Sequence, residues 1–174
     1  GHQVGPCFAP ITGDYLTYEE FMPKFEQMMR WLAKTYVNAL KIIHYMHDKY
    51  DYEAFEMALH DGDVERTRAT GIAGLSIVTD SIAAMKNCKV RIVRDENGLA
   101  VDYKIEEGTY VPFGNNDDAT DQIAVDLTET FMEYLRQHET YRNAVPTQSL
   151  LTITSNVVYG RNTGATPDGR KKGV

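Results

Sequence analysis

The sequence has few cysteines, and none of them is spaced to bind a metal. Cys7 and Cys88 are the two cysteines among 174 residues, and neither belongs to a CxxC pattern. A disulfide between them is not expected, because an acidic chain without a secretory signal is expected to be cytoplasmic, where thiols stay reduced. We therefore interpret Cys88 as a small buried hydrophobic residue and Cys7 as a loop thiol.

The sequence also lacks an excess of positive charge and any long apolar run. Its net charge of −7 excludes a general nucleic-acid binder, which would present a basic face. No stretch approaches the roughly 18 apolar residues of a membrane span. With 43% apolar and 25% charged residues, the composition is that of a soluble globular domain, and the length permits a real core.

The longest periodic pattern predicts a helix over residues 17–48. Thr17 and Glu20 form a capping box at its start, and Pro23 should kink or delay its first turn. A helix this long with one apolar face belongs in a sizeable core rather than on a small isolated domain. The stripe expected to be buried comprises Phe21, Phe25, Met28, Met29, Leu32, Tyr36, Leu40, Ile43 and Met46.

Shorter patterns complete the predicted secondary structure. Residues 1–2 are expected to be a cloning remnant, and residues 3–174 one piece of a single domain. Further helical segments are predicted at 52–60, 64–70, 75–85 and 118–137. Strands are predicted at 89–93 and 99–105, joined by an Asn-Gly hairpin turn with one face in solvent, and at 149–155 with both faces covered.

Two patterns could bind a ligand, but neither is complete. His44 and His47 lie three residues apart on a helix, and His60 or Asp61 could supply a third metal ligand, yet no HExxH motif surrounds them. The segment from Gly71 to Gly74 precedes a helix, but it lacks the third glycine and the strong preceding strand of a dinucleotide site. We therefore predict no metal ligand and no cofactor-binding residue.

The charged clusters are interpreted as structural. Three acidic pairs lie in or beside turn signals and are typical of solvated turns and helix caps: Asp95/Glu96, Glu106/Glu107 and Asp117/Asp118. A small basic group could meet an anion such as a phosphate: Arg161, Arg170, Lys171 and Lys172. Asp168 and Arg170 are expected instead to hold the turn together or to pair with missing segments. Because no GxSxG elbow is present either, we predict no catalytic residue in this chain.

The C-terminal segment carries the most specific signal. From Thr152 an apolar β-type run leads into a tail rich in Gly, Thr and Pro that ends without a closing element, which indicates a cut through a longer polypeptide. Its NVVYG and TGATPDGR motifs, at 156–160 and 163–170, resemble the pyruvate formate-lyase family of glycyl radical enzymes. Five further motifs extend the resemblance over nearly the whole chain, at 32–53, 58–67, 71–82, 113–117 and 144–156.

The resemblance implies an α/β fold and a large parent enzyme. This chain would be part of a β/α barrel, mostly helical, with the 89–105 hairpin on its surface and 149–155 as a barrel strand. The parent would be a formate C-acetyltransferase, which converts pyruvate and coenzyme A to formate and acetyl-CoA through glycyl and thiyl radicals. It would be a homodimer and the substrate of a radical S-adenosylmethionine activase.

The family's reactive groups do not map onto this chain. The adjacent pair of catalytic cysteines and the RVSGY-type radical loop are both absent from the sequence. The piece is therefore expected to be inactive alone, to bind no cofactor, and to have the missing segments of its own polypeptide as partners. Nucleic acid and membranes are not expected partners.

Three other interpretations stay open at this level. The parent could be a related glycyl radical enzyme acting on a diol, on choline or on another 2-oxoacid. The chain could instead be a non-catalytic half-barrel that binds a partner protein. A regulatory domain that binds a metal or a phosphate, through His44 and His47 or through the basic group, is the third.

Overall fold

Helices form most of the structure, and short strands make two separate sheets. A computed structural model describes residues 2–150 and 154–174. In chain order, its elements are β1 (Tyr15–Leu16), α1 (Tyr18–Asp48), α2 (Tyr52–Met57), β2 (Thr67–Gly71), α3 (Leu75–Asn87), β3 (Cys88–Arg94), β4 (Ala100–Gly108), α4 (Asp118–Arg136), a 3-10 turn (Tyr141–Asn143), β5 (Val145–Ser149) and α5 (Asn156–Asn162).

The long helix α1 begins where the sequence predicts. The Thr17 hydroxyl accepts a hydrogen bond from the Glu20 amide at 3.3 Å, which caps the first turn. The helix then continues through Pro23 to Asp48. It packs mainly against α4, and its N-terminal part contributes most of its contacts with the hydrophobic core.

The predicted apolar stripe of α1 is only partly buried, which corrects the expectation from its spacing. Leu32, Ile43 and Met46 are 49%, 52% and 45% exposed. The buried face is rotated from the predicted one and carries four residues: Met29, Ala33, Val37 and Asp48. The helices α3 and α4 cover the apolar part of that face. The helix therefore has two apolar stripes, one inside the core and one outside it.

The core lies between α1, α3, α4 and the inner face of β3. Both α3 and α4 form as predicted, and Asp117 caps α4 by accepting a hydrogen bond from the Thr120 amide at 2.9 Å. The four α4 residues predicted to face inward are all buried: Ile123, Leu127, Phe131 and Leu135. Val90 and Ile92 close the core from the sheet side.

The predicted hairpin forms one antiparallel sheet in the order β1-β3-β4. Its turn uses Gly98 at a φ of 78°, a left-handed conformation that glycine adopts without strain. The Asp95 carboxylate accepts hydrogen bonds from the Asn97 and Leu99 amides, each at 2.9 Å. The outer strand β4 leaves Val101 about half exposed, as expected for a surface hairpin.

The second sheet is a parallel pair, β2 and β5, and its position was predicted wrongly from the sequence. The strands run in register from Thr67 opposite Val145 to Gly71 opposite Ser149. Residues 67–71 are therefore strand rather than helix, because they pair with a segment far along the chain that supplies no local signal. Their connection passes through α3, the hairpin and α4, as parallel strands require a long crossover.

The predicted strand at 149–155 is also misplaced. The strand is β5, which contains Pro146 and ends at Ser149, while residues 154–155 form a turn that leads into α5. The remaining part of the prediction, residues 151–153, lies outside the described residues. Over the NVVYG motif at 156–160, the chain forms the helix α5 and not a β-type run.

The α/β class is confirmed, with two sheets that stay apart. Over the described residues the strands make no closed barrel. Within that same part of the chain, no helix is long and apolar enough to cross a membrane.

Replacing Leu135 by Ala should lower the free energy of unfolding by about 2–5 kcal/mol, because the side chain is fully buried and its loss leaves a cavity. Leu99→Ala is the matched control: this side chain is 65% exposed beside the hairpin turn, and we expect a change within about 0.5 kcal/mol. Urea unfolding followed by circular dichroism measures both. Equal losses for the two variants would contradict the placement of the core.

Candidate functional site

Seven polar side chains meet where α1, α2, the start of β2 and the turn before β5 come together. We call this group the junction cluster. It contains three arginines, two carboxylates, a histidine and a tyrosine: Arg66, Arg68, Arg142, Asp48, Glu53, His44 and Tyr141. Because β2 and β5 are parallel, the residues that precede them lie at the same end of the sheet. The junction cluster forms at that end.

Glu53 lies at the centre of the junction cluster. It is the buried residue of the short helix α2, with 8% of its surface exposed. His44 Nε2 lies 3.1 Å from its carboxylate, Arg66 Nε donates to the other oxygen, and Arg142 Nε lies 3.6 Å away. Burial opposes ionisation most strongly, but the hydrogen bonds from Arg66 and His44 outweigh it, so the pKa of Glu53 is lowered.

The contacts of His44 fix which ring nitrogen carries the proton. Arg68 Nη2 is in hydrogen-bond contact with His44 Nδ1, and a guanidinium group can only donate. Nδ1 must therefore accept, which leaves the proton on Nε2, where it is donated to Glu53. Arg68 also donates to the Leu40 carbonyl of α1 at 2.8 Å, so it links β2 to that helix.

Asp48, the last residue of α1, ties the turn before β5 to the helix. Its Oδ2 accepts hydrogen bonds from the Tyr141 hydroxyl and from Arg142 Nε, both at 2.8 Å. The Tyr141 bond is the main reason that the pKa of Asp48 is lowered, and the Arg142 charge adds to it. Arg142 has a φ of 51°, a conformation that costs a non-glycine residue about 1–3 kcal/mol, and these bonds hold it there.

The chemistry available to the junction cluster is limited. Its polar groups are directed at one another: Arg66 and Arg142 pair with the two carboxylates, and Arg68 contacts His44. Its one hydroxyl, on Tyr141, donates to Asp48, it contains no thiol, and its histidine has both nitrogens engaged. We therefore interpret the cluster as a device that positions α2 and the first residues of the two parallel strands.

The predicted histidine ligands do not come together. His44 points into the junction cluster, whereas the His47 ring packs edge-on against Tyr52 at 6.3 Å. His60 and Asp61 are exposed beyond the end of α2. In residues 2–150 and 154–174, no group of three or more His, Cys, Asp or Glu side chains is placed to hold a metal ion.

The glycines at 71 and 74 lie beside an apolar groove, and a strand does precede them, contrary to the expectation from the sequence. Gly71 ends β2, and Gly74 precedes α3 at a φ of 85°. The groove has a volume of about 310 Å³ between α1, α3 and α4. Its lining is almost entirely hydrophobic and includes Phe25, Trp31, Leu32, Ile72, Leu75 and Phe131. Such a lining does not fit a phosphate.

The acidic pairs have structural partners. Asp95 and Asp117 cap the hairpin turn and α4, as interpreted from the sequence. Glu106 and Glu107 lie in β4 rather than in a turn, where they pair with Arg91 and Lys89 at 3.2 and 3.0 Å across the hairpin.

The basic group of the tail is partly engaged as well. Arg170 donates to the carbonyls of Gly160, Gly164 and Val174, so it holds the tail as the sequence predicts. Lys171 pairs with Asp102 of β4 at 2.6 Å. These contacts favour a structural role over anion binding.

The junction cluster was not predicted from the sequence, although one signal for it existed. His44 and Asp48 follow Val37 by seven and eleven residues, which places them on the same side of α1 as the buried Ala33 and Val37. A polar residue at a buried helical position needs a partner, and a partner from another element gives no local pattern. The three arginines of the cluster could therefore not be assigned from spacing alone.

Glu53→Gln should weaken the fold at neutral pH by about 1–3 kcal/mol, because an amide accepts less strongly from Arg66 and keeps no charge. The lowered pKa values of Glu53 and Asp48 give stability that is complete above about pH 4 and is lost as pH falls through the folded-state values. The difference in Tm between wild type and variant should shrink from about pH 6 to about pH 3. Exposed Glu65→Gln is the control, and a Glu53→Gln variant that tracks wild type at every pH would contradict this assignment.

Comparison with known proteins places this fold in one family. A family model described as pyruvate formate lyase-like matches residues 1–160. The chain is 61% identical to formate acetyltransferase 1 and 60% identical to the PFL-like enzyme TdcE, both from Escherichia coli strain K12, over 99% of its own length. It spans 22% of the length of each of these curated relatives.

A solved structure from a study of 1,2-propanediol dehydration in Roseburia inulinivorans has the same fold over the whole chain. The TM-score is 0.69 at 21% sequence identity, and the match covers 26% of that protein. With the family model matching most of its residues, the chain belongs to the pyruvate formate lyase-like family.

Proposed function

We propose that this chain is part of a formate C-acetyltransferase, the enzyme that converts pyruvate and coenzyme A to formate and acetyl-CoA. The observation that carries the proposal is the 61% identity to formate acetyltransferase 1, which extends over 99% of the chain. That identity is far above the 21% to the structure from the diol-dehydration study, which supports the fold alone.

In the proposed enzyme these residues are scaffold rather than catalytic groups. The reaction needs a cysteine that forms a thiyl radical and a glycine that stores the radical, and we assign both to other segments of the polypeptide. Cys88 is a poor candidate for such a thiol, because it stands alone and burial raises its pKa. Cys7 is exposed and has no cysteine neighbour in the sequence.

The pair β2–β5 is the part we propose to belong to a β/α barrel. Parallel strands occur almost always in sheets covered on both faces, and two of them alone are an unusual unit. Further strands beside β2 and β5 would complete such a sheet. The junction cluster would then fix the N-terminal ends of two barrel strands.

The remaining features of the proposed enzyme follow from the same assignment. Coenzyme A would be a co-substrate, and a radical S-adenosylmethionine enzyme would install the glycyl radical. The full-length protein would be a cytoplasmic homodimer. We propose no contact between the residues described above and coenzyme A, the activase or the second subunit.

A second candidate is a glycyl radical dehydratase, since the structure that shares the fold comes from a study of diol dehydration. The coding sequence on either side separates the two candidates. Two adjacent cysteines upstream would support acyl transfer, and a single cysteine followed closely by Glu would support a dehydratase.

The purified chain should produce no formate from pyruvate and coenzyme A after anaerobic treatment with an activase, because it carries neither radical-forming group. The full-length protein, treated in the same way, should produce formate and acetyl-CoA. Formate release by the chain alone would contradict the scaffold assignment, and a full-length protein that dehydrates diols instead would contradict the proposed substrate.

The isolated chain should also bind a hydrophobic dye such as anilinonaphthalene sulfonate, or self-associate at high concentration. It exposes apolar surface that a complete enzyme would cover, including Phe55 at 74% and Leu59 at 84%. Sedimentation velocity and dye fluorescence measure this. A monodisperse monomer that ignores the dye and unfolds in one sharp transition would count against the assignment to a larger enzyme.

A further inference from the structure

The end of α1 and all of α2 present an apolar face that nothing in the described structure covers. We call it the α1–α2 face. Six of its side chains are about half exposed or more: Ile43, Met46, Tyr50, Tyr52, Phe55 and Leu59. Met46, Tyr50, Tyr52 and Phe55 line one open concavity of about 580 Å³, so the face is continuous and not a set of scattered residues.

The face exists because α1 extends beyond the helices α3 and α4 that pack against it. Its buried positions run from Met29 to Val37 and then stop until Asp48 at the helix end. Ile43 and Met46 lie between those points on the second apolar stripe. A surface stretch of large aliphatic and aromatic side chains is typical of a protein contact site, since water solvates it poorly.

The junction cluster holds this face in a fixed shape. Glu53 ties α2 to Arg66, just before β2, and Asp48 ties the end of α1 to the turn before β5, so Phe55 and Met46 are presented from anchored helices. A preformed apolar surface with few charges resembles the core of a permanent interface more than a transient one. Glu56, whose carboxylate raises the pKa of the Tyr52 hydroxyl through a hydrogen bond, is the acidic member of the concavity.

We infer that the α1–α2 face is covered by another part of the same full-length polypeptide. This rests on the proposed function, since the curated relatives are several times longer than this chain, which spans 22% of each. The structure that shares the fold likewise contains it as 26% of a larger chain. The occupant is an apolar segment, because the concavity offers four large apolar or aromatic side chains and only two other polar groups, the Glu56 carboxylate and the His47 imidazole.

Phe55→Cys and Leu99→Cys test the inference by the rate of thiol labelling with N-ethylmaleimide, read peptide by peptide by mass spectrometry. Each variant is made in the 174-residue chain and in the full-length protein. The two positions are similarly exposed here, at 74% and 65%, so both introduced thiols should label fast in the chain at low concentration. In the full-length protein, the thiol of Phe55→Cys should label at least tenfold more slowly than the thiol of Leu99→Cys.

A second readout needs no substitution. Hydroxyl-radical oxidation of Tyr50, Tyr52 and Phe55 should fall in the full-length protein by a similar factor. Equal labelling of the Phe55→Cys thiol in both proteins, together with unchanged oxidation, would overturn the inference and leave the proposed function intact. Protection of the full-length protein that disappears on dilution would assign the face to a second copy and would also overturn it.

Other results would contradict the proposed function itself. An open reading frame that adds no further segment would remove the occupant and overturn both proposals together. A full-length protein without formate production, but with the Phe55→Cys thiol protected, would overturn the assigned reaction alone.

Discussion

The arrangement of α2 and of the parallel strands β2 and β5 depends on the contacts of the Glu53 carboxylate. It is the buried group of α2, and through Arg66 and His44 it joins that helix to β2 and to α1. Two parallel strands have no hairpin turn to set their register, so their relative position must come from elsewhere. Charged groups at the shared end of the two strands provide it here, and their pairing offsets a desolvation cost. Asp48 Oδ1 and Arg68 Nε are buried without a hydrogen-bond partner in the part of the chain that the structure describes.

The parts of the fold that have local causes could be predicted from the sequence. The helices α1, α3 and α4 follow from spacing and from caps such as Thr17 and Asp117, and the hairpin follows from Asn97-Gly98. The predictions for β2 and β5 were wrong or displaced, because their pairing is between distant segments. A short Thr-rich segment has no decisive preference of its own, so the partner strand decides it.

The junction cluster escaped prediction for a related reason. Periodicity identifies a buried face by its apolar residues, and it treats His44 and Asp48 as exceptions to that face. Their partners come from other elements, so the reason for their burial is visible only in the folded structure. The burial of α1 was misjudged in the same way, because a stripe of apolar residues shows which side avoids water and not whether anything covers it.

The outer strand β4 limits how this chain can aggregate. Its free edge runs from Ala100 to Gly108 and would be a template for another strand. Asp102, Lys104 and Glu106 place charges of alternating sign along that strand, and among the described residues β4 is the last strand of its sheet. The edge of β4 therefore disfavours pairing with a strand of another chain. The short strands β2 and β5 rely on one such residue each, Arg68 and Pro146.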